Sequence, residues 1–186
     1  MIKRVYIVRH CAAQGQSPNA HLTEIGLKQA KYLASFFNNK KIDRIISSPS
    51  LRAIQSIEPL SHAKNIKIEI DDRLTERILS TRFLPDWYVK LKATFNDMEL
   101  KYDGGESSKE AMNRIVNVVK EVLASVSKNK NTIIVSHGNL ISLLLKHYQR
   151  DIDFQVWENL SNPDVFQLSN IHNKVHVNRI WDEEEA

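Results

Sequence analysis

The sequence predicts an α/β fold: three layers, α/β/α, around a mostly parallel central sheet with an antiparallel edge strand and a short cap insertion. Three observations carry this. Short β-branched runs alternate with segments of helical spacing through most of the chain. The last two strand-like runs, near 164–169 and 175–181, have no helix between them and read as a hairpin at one edge. The segment of about 74–106 breaks the rhythm. It is rich in aromatic residues and reads as a cap inserted over the carboxyl ends of the strands.

Residues 2–8 read as a buried strand, and a polar loop with Gly15, Ser17, Pro18 and Asn19 follows. From Thr23 to Phe37, Ile25, Leu27, Ala30, Leu33, Ala34 and Phe37 recur at helical spacing. Residues 43–47 form the second strand, stopped by Pro49, and Ser50 is placed to cap a helix from Leu51 to about His62. Residues 66–70 alternate Ile-Lys-Ile-Glu-Ile, the pattern of a half-exposed strand. Ser107 and Glu110 have the spacing of a capping box and start a helix running to about Val126. A strand at 132–136 and a helix from Asn139 to His147 precede the final hairpin.

The 186 residues fit one domain, 1–186, without repeat or linker. No apolar stretch is long enough to span a bilayer, and the start lacks the sections of a signal peptide, so the expected location is the cytoplasm. The single cysteine, Cys11, rules out an internal disulfide and a cysteine-based metal cluster. The formal charge of +4 suits an anionic ligand, but the lysines are scattered and form no nucleic-acid stripe. The acidic tail, 182–186, reads as a solvated end.

Two apolar strands end in histidines: Val8-Arg9-His10, and Val135-Ser136-His137-Gly138. In α/β sheets ligands bind at that edge. Gly138 allows close backbone approach, as a phosphate needs but also any tight turn. Arg52 follows Ser47-Ser48-Pro49-Ser50-Leu51 in the first turn of a helix, where guanidinium and amides both favour an anion. Glu76 follows the alternating strand. A metal is one use for His10, His137 and Glu76, but fixed arginine charges repel a dication and planar guanidinium donors match phosphate. The set reads as a phosphate pocket with a nucleophilic histidine and a proton donor. His21, His62, His147, His172 and His176 carry no local pattern.

With these motifs in place, the chain resembles the histidine phosphatase superfamily, the group of cofactor-dependent phosphoglycerate mutases and small bacterial-type phosphatases. The marks are Val8-Arg9-His10, Leu22-Thr23-Glu24-Ile25-Gly26, Ser47-Ser48-Pro49 with Arg52-Ala53, Glu76, Gly105-Glu106-Ser107 and Ser136-His137-Gly138, over nearly the whole chain. The resemblance implies that His10 is the nucleophile, that Arg9, Arg52 and His137 hold the phosphoryl group, and that Glu76 donates the proton. Gln16 and Ser17 become further phosphate ligands and Thr23 a supporting contact. The family works without a metal, and no cofactor is expected for this chain. Two positions depart from its pattern: Cys11 stands where glycine is usual, and Ala12 where glutamate is common.

The expected activity is hydrolysis of small phosphomonoesters through a phosphohistidine, releasing inorganic phosphate, with no nucleic-acid or membrane partner. The alternatives are mutase-type phosphoryl transfer and a non-catalytic phospho-ligand or protein-binding module. In the cap, Phe83, Trp87 and Tyr88 are the residues expected to touch the leaving group, in a segment whose rings can equally pack on one another.

Overall fold

The computed structural model describes residues 4–124, 131–172 and 174–182. Six strands form one sheet, in the order β3-β2-β4-β1-β5-β6. The strands are β1 (Arg4–Arg9), β2 (Arg44–Ser47), β3 (Ile68–Ile70), β4 (Thr132–Ser136), β5 (Asp164–Ile171) and β6 (Lys174–Arg179). β1, β4, β2 and β3 pair in parallel. β5 runs antiparallel to both β1 and β6, so the hairpin closes one edge as the missing helix predicts.

Every residue of β4 is buried, as expected of a central parallel strand covered on both faces. The helices α4 (Ser108–Ala124) and α5 (Gly138–Tyr148) pack on the face that carries Val5, Ile7, Ile46 and Ile134. The helices α1 (Glu24–Phe36) and α2 (Leu51–Lys64) cover Tyr6, Val8, Ile45 and Ile133 on the other. The alternation in each strand thus supplies two cores, one for each face.

Helix ends follow local chemistry. Thr23 caps α1 by accepting from the Gly26 amide. The capping box at α4 forms as read: Glu110 Oε2 accepts from Ser107 N at 2.8 Å, and Ser107 Oγ from Glu110 N at 3.1 Å. Ser50 holds the cap position of α2, but its side chain makes no cap bond. Instead it takes the Ser48 hydroxyl at 3.4 Å. β3 is shorter than the run at 66–70, because Ile66 and Lys67 precede its pairing with β2. Met1 to Lys3, Val126 and the tail from Glu183 lie outside the described residues.

The segment 74–106 holds a helix that the sequence reading did not single out, α3 (Trp87–Asn96). It packs on the short α6 (Phe154–Glu158) through a separate cluster of Leu91, Phe95 and Phe154, flanked by Leu79 and Trp157.

Candidate active site

Strand register brings the histidines together. Arg9 pairs with Ser136 across β1 and β4, so the residues that follow, His10 and His137, leave the sheet side by side. Their rings meet edge to face with centroids 5.1 Å apart. His10 N donates to Ser136 O at 3.1 Å, and Asn162 Nδ2 holds His10 O at 2.8 Å.

Arg52 lies between the rings, with 2 % of its surface exposed. It donates from Nε to His10 Nε2 at 3.2 Å and from Nη2 to His137 Nδ1 at 3.1 Å. Arginine has no acceptor and keeps its charge, so both ring nitrogens that it meets are bare. His10 therefore carries its proton on Nδ1, which donates to Cys11 O at 2.7 Å. Its Nε2 lone pair is free of a proton and meets Arg52 Nε, and an unprotonated nitrogen is what a nucleophile requires. His137 carries its proton on Nε2, which donates to Ser48 Oγ at 2.8 Å.

Burial is the main force on both rings. It lowers the His10 pKa to about 4, and the Arg52 and Arg9 charges add to the effect. Loss of water contributes more than either charge. His137 is held well below the usual histidine range by burial, with His10 and the surrounding arginines acting the same way. Both histidines are neutral at pH 7.

Arg9 donates from Nη1 to Leu160 O at 2.6 Å and Ser161 O at 3.2 Å. Its buried Nε has no hydrogen-bond partner. An unpartnered buried guanidinium nitrogen is costly unless an anion meets it. A side chain at position 138 would bring its Cβ within 3.0 Å of the Arg9 guanidinium, which explains Gly138.

Glu76 is half-buried at the start of α5. Its Oε1 accepts from Arg77 N at 2.8 Å and Leu140 N at 3.0 Å, and its Oε2 from Asn139 N at 3.1 Å. The carboxylate thus occupies the first free amides of a helix. Arg114 fixes the backbone that carries it, donating to Arg73 O, Thr75 O and Glu76 O and pairing with both oxygens of Glu106.

Other residues from the sequence reading take different roles. Gln16 and Ser17 are exposed, and their backbone carbonyls, not their side chains, accept from Arg52 Nη1 at 3.2 and 2.8 Å. Thr23 clasps the loop after His10 through Ala12 O while it caps α1. Cys11 is fully buried, its amide donates to Ser56 Oγ at 2.8 Å, and burial pushes its thiol up to about 12. Position 11 is not among the positive-φ residues, so cysteine fits there without backbone strain. Among the described residues, no group of three or more His, Cys, Asp or Glu is placed to hold a metal.

Trp87 meets Tyr88 and Trp157, and Tyr88 meets Phe154, in edge-to-face contacts. Phe83 stays 88 % exposed. Asn162, Ser48, Ser56 and Arg114 were not assigned roles from the sequence. Ser48 alone lay inside a quoted motif.

The family model for the histidine phosphatase superfamily (branch 1) matches residues 5–182. The chain belongs to that superfamily. It is therefore a phosphatase whose chemistry runs through a phosphohistidine. Phosphoserine phosphatase 1 of Hydrogenobacter thermophilus is 27% identical over 152 residues, spanning 74% of this chain and 71% of that one. A Yersinia pestis protein named probable phosphoglycerate mutase GpmB is 30% identical over 158 residues, spanning 76% and 73%. The fold matches mycobacterial glucosyl-3-phosphoglycerate phosphatase, solved with inorganic phosphate, with a TM-score of 0.78, 21% identity and 99% of each chain covered. No helix among the described residues of this histidine phosphatase is long and apolar enough to cross a membrane.

Proposed function

We propose that this histidine phosphatase hydrolyses small phosphomonoesters in the cytoplasm without a metal, with His10 as nucleophile and inorganic phosphate as product. The observation that supports it most is Arg52 meeting the bare nitrogens of both strand-end histidines, beside an Arg9 Nε that has no partner. Fixed positive charge of this kind stabilises the transferring phosphoryl group in its transition state.

His10 Nε2 attacks phosphorus, and the bond to the leaving alcohol oxygen breaks. Arg9, Arg52 and His137 take the phosphoryl oxygens. Glu76 gives the leaving oxygen a proton, then takes one from the water that attacks the phosphohistidine. A protonated carboxyl accepts N–H bonds more weakly than a carboxylate does, so carrying that proton loosens the hold of Glu76 on the amides of α5. Gln16, Ser17 and the backbone at Gly138 line the entrance to the phosphoryl site, and the cap residues Phe83, Trp87 and Tyr88 meet the leaving group.

The mutase name of one relative makes phosphoryl transfer between hydroxyls the second reading. A mutase must retain a second anionic group. The cap cations here have partners of their own: Arg77 bonds Thr94 and Glu106, Arg82 pairs with Asp103, Lys90 pairs with Asp86, and Lys92 lies over the Phe154 ring. That favours hydrolysis. A panel of phosphomonoesters assayed with and without chelator, with base-quenched protein mapped for phosphate on His10, tests the proposal. Turnover in chelator and label at His10 are expected. A metal-restorable loss, isomer exchange without phosphate release, or an unlabelled His10 would overturn it.

A further inference from the structure

The pocket histidines differ in what their second nitrogen meets. His10 Nδ1 faces a backbone carbonyl, Cys11 O, which only accepts, so its proton is locked in place. His137 Nε2 faces the Ser48 hydroxyl, which both accepts and donates. That difference matters because the two rings have opposite tasks. His10 needs a bare nitrogen towards phosphorus, whereas His137 needs a proton towards a phosphoryl oxygen, which can only accept.

In the structure His137 has the wrong tautomer for that task. Its Nδ1 accepts from Arg52, and the proton is on Nε2. Two routes put a proton on Nδ1. The ring could gain a second proton and become charged, or its single proton could change nitrogen. The first is opposed by full burial beside Arg52, Arg9 and Arg114, which hold the ring well below the usual histidine range. The second requires the partner of Nε2 to turn from acceptor into donor.

Ser48 is built for that change. Its Oγ is fully buried and accepts from Ser50 N at 3.3 Å, while its proton faces only Ser50 Oγ at 3.4 Å. Turning the O–H towards His137 Nε2 gives up a long contact and keeps the amide bond. The backbone of Ser48 is fixed meanwhile by its amide on Val135 O at 3.0 Å. We propose that Ser48 is a positioning residue that sets the tautomer of His137, accepting from Nε2 in the empty pocket and donating to it when a phosphoryl group is bound. An entering phosphate monoanion gives its proton to Nδ1 and the Nε2 proton is released in exchange, so the ring is neutral before and after. Arg52 turns its released donors onto the phosphoryl oxygens.

This inference rests on the phosphoryl-pocket reading, and its test separates the two. Wild-type protein with ¹⁵N-labelled histidine is titrated with inorganic phosphate and with vanadate, and the ring nitrogens of His137 are followed by long-range proton–nitrogen correlation. Binding should exchange the signatures, Nδ1 becoming protonated and Nε2 bare. In Ser48→Ala the bound ring should fail to exchange, and phosphate inhibition should weaken about ten- to a hundredfold. A His137 that keeps its Nε2 proton with phosphate bound, or that takes a second proton, overturns the proposal in wild-type protein alone, whatever the variant's folding. An unchanged exchange in Ser48→Ala overturns it equally. Absence of any phosphate or vanadate binding strikes the pocket reading itself, and this inference with it.

Discussion

The sheet edge and the cap are held by different means. At the edge, His10, Arg52 and His137 are 6 %, 2 % and 0 % exposed, and they are bonded to one another and to Cys11 O and Ser48 Oγ. In the cap, Phe83, Trp87 and Tyr88 are 88 %, 49 % and 43 % exposed, and a small cluster of their neighbours does the packing. A phosphoryl group is the same in every substrate, and a rigid site suits it. The leaving group varies, and the proposed reading sets it against the region with least burial. Reactivity and selectivity are therefore expected to separate along this boundary, with Arg114 and Glu106 as the joint between the two.

The sharpest break is at the edge. His10→Ala should lower kcat by about a thousandfold or more while the far-ultraviolet spectrum and melting transition remain those of a folded protein. Near-normal turnover in that variant would remove His10 from the mechanism.

Glu76→Gln probes the joint. Loss of the proposed proton donor should reduce kcat on an alkyl phosphate by about a hundredfold and on an aryl phosphate by less than about tenfold, since a phenolate leaves unaided. Equal losses on the two esters would assign the residue to positioning alone.

Acid should act on the edge through protons. His10 has a folded pKa of about 4 against an ordinary 6.5. Between those values the unfolded chain binds more protons, so stability falls as pH falls through this window. From pH 7 to pH 5 His10 alone should cost about 2 kcal/mol, and His137 acts in the same direction. Urea midpoints at both pH values should therefore drop less in His10→Ala than in wild type. Parallel drops would mean that His10 is not the group being protonated.

The mildest effect is expected in the cap. Trp87→Ala should change the ranking of bulky against small esters, mainly through KM, by about tenfold or less, and leave the smallest esters nearly intact. A uniform fall with a lowered melting temperature would make Trp87 a packing residue and erase the contrast between the two regions.

The same boundary separates what could be read in the sequence from what could not. Strand alternation, the Ser107–Glu110 box and the two strand-end histidines are local signals, and each reappears in the structure. Arg52 was legible because Pro49 fixes where its helix starts. The helix α3 was missed because its apolar positions, Trp87, Tyr88, Leu91 and Phe95, lie among further aromatics that obscure the spacing. α6 has five residues, too few to show a period. Asn162, Ser48 and Arg114 act across long sequence separations, 152 residues in the case of Asn162 and His10, and no local pattern announces such a contact.

Cys11 adds a consequence of a practical kind. It is the chain's one cysteine, it has no exposed surface, and burial pushes its thiol up to about 12. Only the thiolate reacts readily with alkylating reagents, so the folded protein should be almost inert to them. Labelling then waits for the segment next to His10 to open, and its rate counts those openings. The position where glycine is usual in the family thus carries a built-in reporter, next in the chain to His10. Occupancy of the pocket becomes measurable as slowed alkylation, with no substrate turned over.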